Sequence, residues 1–297
     1  MNSVAISLGN FDITWYSLCI LVGVMLASLL FLLECKKYEI NIDFGINLIF
    51  WTVIFGIIGA RIYFVLFNLS YYLENPVEIL EVWKGGLAIH GGIIGGLLFI
   101  IFYSLKYKVR ILKMTDMAVV GLIIAQAMGR WGNFFNQEAF GANTTTAPFR
   151  MWSLKIHDTL QASADTLAAK GMTVDPNTPV HPTFLYESVW CILGFFILNY
   201  IVNHKRSYKG EVFFLYGIWY GLERMVVEGL RTDSLYIGAT SIRVSQLFSA
   251  IIIVVFLVWH IVNMVRLKKG TLPQRMMIEP LKAENNDERE NENVTNN

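Results

Sequence analysis

The sequence predicts an all-α polytopic membrane protein: seven transmembrane helices, N-terminus outside, C-terminus cytoplasmic, and a small external cap between helices 4 and 5. Three observations predict it. The chain is 55% hydrophobic and 16% charged, with a mean hydropathy of +0.48, against about 25% charged residues in a soluble domain. Seven apolar runs approach the ~20 residues that a helix needs to cross about 30 Å of hydrocarbon. The short loops between those runs alternate between rich and poor in Lys and Arg, the pattern that fixes orientation, because basic loops stay in the cytoplasm.

The first run, 14–33, follows MNSVAISLGNFDITW, which lacks the basic segment of a signal peptide, so it is read as a spanning helix rather than a cleaved leader. The second and third occupy 44–67 and 87–105. The fourth, 115–130, is short of apolar residues and is expected to extend through a polar end. The fifth, sixth and seventh cover 184–202, 212–229 and 244–265, and no internal repeat relates the halves. These helices and the cap, 142–182, make one domain over 1–269. About 40 residues is too long for a structureless loop in a compact fold, so the segment 142–182 is expected to fold. The tail 270–297 ends in AENNDERENENVTNN, is polar and acidic, and is expected to be disordered.

Basic residues mark the inner side. Lys36 and Lys37 follow the first run, Lys106, Lys108, Arg110 and Lys113 the third, Lys205, Arg206 and Lys209 the fifth, and Arg266, Lys268 and Lys269 the last. The loops after the second and sixth carry only Lys84, Arg231 and Arg243, among several acids.

With that orientation, the ionisable and amide residues gather in the outer half. Residues 129–141 read GRWGNFFNQEAFG and place Arg130, Asn133, Asn136 and Glu138 at the outer end of the fourth helix. A charge near hydrocarbon costs at least about 2.5 kcal/mol unless it finds partners or water, which marks such a cluster as functional. In the sixth helix Tyr220, Arg224, Glu228 and Arg231 share one face, and a rise of 1.5 Å per residue puts Arg224 about 10 Å below the outer boundary. Arg61 lies about one and a half turns from the outer end of the second helix. His90 sits in GGLAIHGG, whose glycines allow close backbone approach or an irregular start to the third helix. HPTFLYES brings His181, Tyr186 and Glu187 to the start of the fifth, and Tyr16 stands at the outer end of the first. Interfacial anchoring accounts for Trp15, Trp83 and Trp131, but not for Glu228 or Asn133.

The one-sided placement opposes a through-pore and points to a pocket opening outward. A transporter of a lipid or anionic solute, the main rival reading, needs polar residues and broken helices near the midplane. Several arginines at phosphate depth suit an anionic lipid headgroup, because guanidinium binds phosphate bidentately. HExxH, GxSxG and paired membrane aspartates do not occur, and the five histidines are too scattered for a metal triad. No cofactor is expected. Cys19, Cys35 and Cys191 show no metal spacing and are expected to pack. No basic stripe with interleaved aromatics suggests nucleic acid. What remains is a histidine that can take a proton near neutral pH, arginines that can hold a phosphate as charge grows on it, and amides that orient substrate. That set suits transfer from a phospholipid with phosphate as the leaving group, in this or another phospholipid-dependent transferase.

These motifs resemble one family, the prolipoprotein diacylglyceryl transferases of bacterial plasma membranes. GRWGNFFNQEAFG matches the signature G-R-x-G-N-F-x-N-x-E-x-x-G at all eight fixed positions, and GGLAIHGG, HPTFLYE and YGLERMVVEGLRTD resemble its other recurrent segments in order. The resemblance spans about 15–265; Met225 stands where an aromatic residue often follows the arginine, and 144–180 matches nothing in the family pattern.

The resemblance implies a multi-pass plasma-membrane enzyme, active towards the outer leaflet, that begins lipoprotein maturation. The diacylglyceryl group of phosphatidylglycerol moves onto the lipobox cysteine of a prolipoprotein signal peptide, a thioether forms, and glycerol phosphate leaves. Its partners are then that phospholipid, the acceptor peptide and the bilayer. In this scheme His90 takes the thiol proton, Arg130 and Arg224 bind the phosphate, and Asn133, Glu138, Tyr16 and Arg61 complete the headgroup site. Glu228, Arg231, Asn136, Gly141, Tyr220, His181, Tyr186 and Glu187 are expected to support those groups from behind.

Overall fold

The computed structural model describes residues 3–9, 11–169, 172–232, 234, 236 and 243–278. The chain opens with a hairpin of β1 (Val4–Leu8) and β2 (Phe11–Thr14), in which Val4 pairs with Thr14 and Ser7 with Asp12, and which alternation this short did not announce in the sequence. Thr14 ends the hairpin and caps α1 (Trp15–Lys37), its hydroxyl accepting from Ser17 N at 3.2 Å. Then come α2 (Ile42–Phe67), the short α3 (Leu69–Glu74), α4 (Ile89–Lys106), α5 (Ile111–Asn136), α6 (Leu154–Ala169), α7 (Thr183–Tyr200), α8 (Glu211–Leu230) and α9 (Val244–Lys268).

The seven apolar runs correspond to α1, α2, α4, α5, α7, α8 and α9. Among the described residues, five helical stretches are long and apolar enough to cross a membrane: α1, α2, α5, α9, and α7 continued through a π-turn to Lys205. The protein is thus helical and membrane-embedded in type. α4 is a shorter apolar helix, and α8 carries Glu211, Glu223, Arg224 and Glu228 within its 20 residues. α5 does run through its polar end, to Asn136.

Small residues set the closest helix contacts, as packing within lipid requires. A Cβ on Gly121 would lie 2.7 Å from Ala27 O, and one on Gly23 3.0 Å from Ala125 O, so α1 and α5 touch backbone to backbone. Gly59 of α2 meets Gly91 and Gly95 of α4 in the same way, while Gly85 and Gly86 take positive φ (90° and 71°) before α4 begins. Both roles foreseen for those glycines are therefore present. One core cluster joins α5, α7 and α8 through Val120, Ile123, Cys191, Leu198 and Val212. A second joins the far ends of α1, α2, α4 and α5 through Phe31, Cys35, Leu48, Phe99, Tyr103 and Met117. Cys35 and Cys191 are buried, Cys19 is partly buried, and all three are free thiols.

The start of α8 is fixed from another helix. Asp116 of α5, fully buried, accepts from Gly210 N at 2.7 Å and Phe213 N at 2.9 Å, capping α8 across the bundle, with Arg206 Nη1 3.6 Å away. Between α5 and α7 a separate small core forms, in which Ile156, Leu160 and Leu167 of α6 pack with Phe140 and Val180. At the start of the tail, Leu272 and Met276 are buried against Tyr208 and Phe214. The rest of the proposed tail, 279–297, lies outside the described residues.

Candidate functional site

The site grows from the end of α5. Gln137 turns the chain in the left-handed conformation (φ 52°, ψ 48°), and Glu138 N donates to Asn133 O at 3.1 Å. The turn folds Glu138 back over the helix end, where its Oε1 accepts from Asn133 Nδ2 at 3.1 Å and Asn136 Nδ2 at 3.2 Å. Asn133, Asn136 and Glu138 are thus one hydrogen-bonded group, a turn beyond Arg130.

Arg130 itself meets α7 and α8. Its Nε lies 3.0 Å from Oε2 of Glu187, an ion pair rather than an aligned hydrogen bond, since Oε2 accepts none. The other oxygen of Glu187 accepts from Arg224 Nη1 at 3.2 Å, and Arg224 Nη2 donates to Glu228 Oε2 at 2.6 Å. Glu187 is fully buried and Glu228 nearly so, while Arg130 and Arg224 keep 21% and 16% of their side-chain surface exposed. Two guanidinium groups therefore converge on one buried carboxylate with their outer edges accessible. Among the described residues nothing engages the terminal amino groups of Arg130, which remain free for an anion.

The meeting of α7 and α8 depends on a tryptophan pair that the sequence reading did not find. Trp190 Nε1 donates to Trp219 O and Trp219 Nε1 to Trp190 O, both at 3.1 Å, with the rings stacked 4.5 Å apart. Glu187 lies one turn before Trp190 and Arg224 just over one turn after Trp219, so this clamp and the Asp116 cap together set their register. Beside them Glu223, buried, has the Cys191 thiol as its hydrogen-bond partner at 3.8 Å. Glu223 also escaped the sequence reading; only its place beside Arg224 could have flagged it.

The surrounding residues close the site. The Tyr16 ring lies against Gly132, where a Cβ would stand 2.5 Å from its Cδ2, and Trp15 stacks on Phe135 at 5.2 Å. Trp131 Nε1 donates to Ser188 Oγ at 3.1 Å, so it ties α5 to α7. Gly141 is threaded between two strands of backbone: its N donates to His181 O at 2.9 Å, it pairs with Arg231, and a Cβ there would sit 2.8 Å from His181 Cβ. His181 Nδ1 is 3.1 Å from Tyr186 Oη, and Tyr220 stacks on Tyr216 at 6.2 Å.

Two expected members stand apart. Arg61 is 6% exposed and directs its guanidinium to four backbone carbonyls, those of Glu78, Ile79, Gly85 and Gly86, over the ring of Tyr72. Its donors organise the loop before α4, which would otherwise bury unpaired carbonyls. His90 is exposed at the first turn of α4 and stacks on Tyr63 at 6.0 Å, with no contact to Arg130, Glu187 or Arg224 among the described residues. No group of His, Cys, Asp and Glu suited to a metal ion occurs among the described residues.

The comparisons with known proteins agree with one family throughout. The family model described as prolipoprotein diacylglyceryl transferase matches residues 3–262. The chain belongs to the prolipoprotein diacylglyceryl transferase family. A relative from Streptococcus agalactiae serotype Ia is 40% identical over 259 residues, covering 87% of this chain and 94% of its own length. One from Streptococcus mutans is 41% identical over 256 residues (86% and 92%), and one from Staphylococcus saprophyticus 39% over 266 residues (90% and 91%). All three carry the name phosphatidylglycerol–prolipoprotein diacylglyceryl transferase. The matched span of this transferase-family chain includes every residue of the Arg130, Glu187, Arg224 and Glu228 cluster.

Proposed function

We propose that this protein transfers the diacylglyceryl group of phosphatidylglycerol to the cysteine thiol of prolipoproteins. It does so from the outer face of a bacterial plasma membrane that it crosses seven times, N-terminus outside and C-terminus inside. The convergence of Arg130 and Arg224 on Glu187 carries the reading. Two fixed cations with accessible edges form a receptor for a phosphate whose charge increases during reaction. The topology rests on the alternation of Lys and Arg between loops, with α4 and α8 completing the seven spans.

In the transfer, the acceptor sulfur attacks the glyceryl carbon that bears the phosphate ester oxygen. The S–C bond forms as the C–O bond breaks, and the electron pair leaves on oxygen, turning a phosphodiester monoanion into the dianion of glycerol phosphate. Arg130 and Arg224 stabilise that added charge. Glu187 holds the two guanidiniums side by side against their mutual repulsion, and Glu228 orients Arg224. Asn133 and Glu138, with Tyr16 against the helix, orient the glycerol headgroup; Asn136, Gly141, His181, Tyr186, Tyr220 and Arg231 shape the wall behind. His90, exposed at the first turn of α4, takes the thiol proton.

The test is a purified transfer reaction. Detergent-solubilised protein, phosphatidylglycerol and a lipobox peptide should give a peptide heavier by one diacylglyceryl group, with glycerol phosphate released in equal amount. No mass gain, or gain on a peptide whose cysteine is replaced by serine, would overturn the reading.

A further inference from the structure

Between α6 and the turn 136–140 lies a cleft of about 360 Å3, open to one side and completed by Thr232. That is within the range of sites that hold small ligands, about 300–1,000 Å3. Its long wall is one side of α6. Ile156 turns into the small core, Leu160 and Leu167 belong to that core and also floor the cleft, and Lys155, Thr159, Ser163 and Thr166 line it with polar groups. The hydroxyls of Thr159 and Ser163 donate back to the carbonyls of Lys155 and Thr159 at 2.7 and 2.6 Å, leaving their lone pairs to accept from an incoming N–H. Lys155 is the cation among the lining residues, and the anion, Glu138, is already held by two asparagine amides.

The opposite wall connects the cleft to the arginine pair. Asn136 and Glu138 line it, and the same two residues, with Asn133, close the helix end one turn beyond Arg130. An acceptor cysteine placed at Arg130 has polypeptide on both sides, and the part that follows it must leave past this helix end. Along α6 the lining runs from 155 to 167, about 18 Å at 1.5 Å per residue, the length of about five residues of extended chain. A second recess at this end, beside Phe149 and Leu185, lacks residues of the Glu138 group.

We infer that this cleft receives the polypeptide immediately following the acceptor cysteine, as an extended segment of about five small residues, with Lys155 favouring an acidic side chain among them. The inference rests on the proposed transfer to a prolipoprotein. It assigns a role to a segment, 144–180, that the family signature leaves blank.

The experiment compares two lipobox peptides in the transfer reaction, one ending at the cysteine and one continuing for five residues that include an aspartate. The wild-type KM should be about tenfold lower for the longer peptide. Ser163→Trp, which fills the cleft, should remove that advantage while leaving kcat, the KM for phosphatidylglycerol and the KM for the short peptide unchanged. Lys155→Glu alters an exposed residue and should raise the KM for the aspartate peptide but lower it for one with lysine in that place. Equal wild-type KM values, a change for both peptides alike, a change in the KM for phosphatidylglycerol, or indifference of Lys155→Glu to peptide charge would each overturn it. If wild type modifies neither peptide, the proposed transfer itself fails, a separate outcome.

Discussion

Arg130 Nε lies 3.0 Å from Oε2 of the fully buried Glu187. The carboxylate also binds Arg224, so it neutralises two guanidinium groups that would otherwise repel across a low-dielectric site. Removing one partner of such a pair leaves an uncompensated charge and costs about 3–5 kcal/mol. Glu187→Gln should therefore lower stability by about 3 kcal/mol, less where water reaches the arginine edges. It should also reduce kcat/KM at least tenfold, about 1.4 kcal/mol at the transition state. Thermal unfolding and transfer kinetics on the same preparation check both; an unchanged kcat/KM would separate Glu187 from the arginines' function.

Arg61 gives the opposite pattern. Its four carbonyl partners make it a brace for the loop before α4. Arg61→Ala should cost about 3 kcal/mol of stability through unpaired buried carbonyls, while the KM for phosphatidylglycerol in the surviving folded protein stays within about twofold. A tenfold rise in that KM with unchanged stability would restore Arg61 to the headgroup site.

His90 is exposed and stacks on Tyr63, ring centroids 6.0 Å apart. In the proposed transfer, where it accepts the thiol proton, general-base catalysis is worth about a hundredfold in rate. His90→Gln should lower kcat by about that factor at neutral pH, and the loss should shrink as pH approaches the thiol's own range, about 8.5. Near wild-type kcat at pH 7 would remove it from the reaction.

In the cap, Asp175 accepts from Thr178 Oγ1 at 2.5 Å and from Asn177 N at 3.0 Å, and these bonds hold its carboxyl below the ordinary aspartate range. A depressed folded value stabilises the 175–178 turn above the unfolded pKa, about 3.9, and that contribution is lost as pH falls through the lower folded value. The carboxyl carbon of Asp175, followed by NMR, should titrate below its free range, and in Thr178→Val the midpoint should move back up. A midpoint indifferent to Thr178 would show that the turn does not depend on this bond.

Much of the bundle was legible because apolar length and loop charge are local properties. The run expected at 212–229 became α8 at Glu211–Leu230, and the polar extension of the fourth run became the last turns of α5. Pairings between helices were not legible. Glu187 could be placed on α7, but which face α8 presents to it depends on the Trp190–Trp219 clamp, whose partners are 29 positions apart, and on Asp116, which lies 94 and 97 positions from Gly210 and Phe213. The carbonyl partners of Arg61 were not legible either, because sequence depth alone cannot tell a phosphate from a backbone carbonyl as the acceptor. The burial of Leu272 and Met276 was not legible because it depends on Tyr208 and Phe214, more than 50 positions away along the chain, and on no local periodicity.

The central claim is that the accessible fork of Arg130 grips the phosphate that departs. The most direct measurement is kcat/KM for phosphatidylglycerol in Arg130→Lys, with folding verified by thermal unfolding. Lysine keeps the charge but presents a single point in place of a planar pair of donors. The account predicts a loss of about a hundredfold or more in kcat/KM with stability little changed; activity within about twofold of wild type would contradict it.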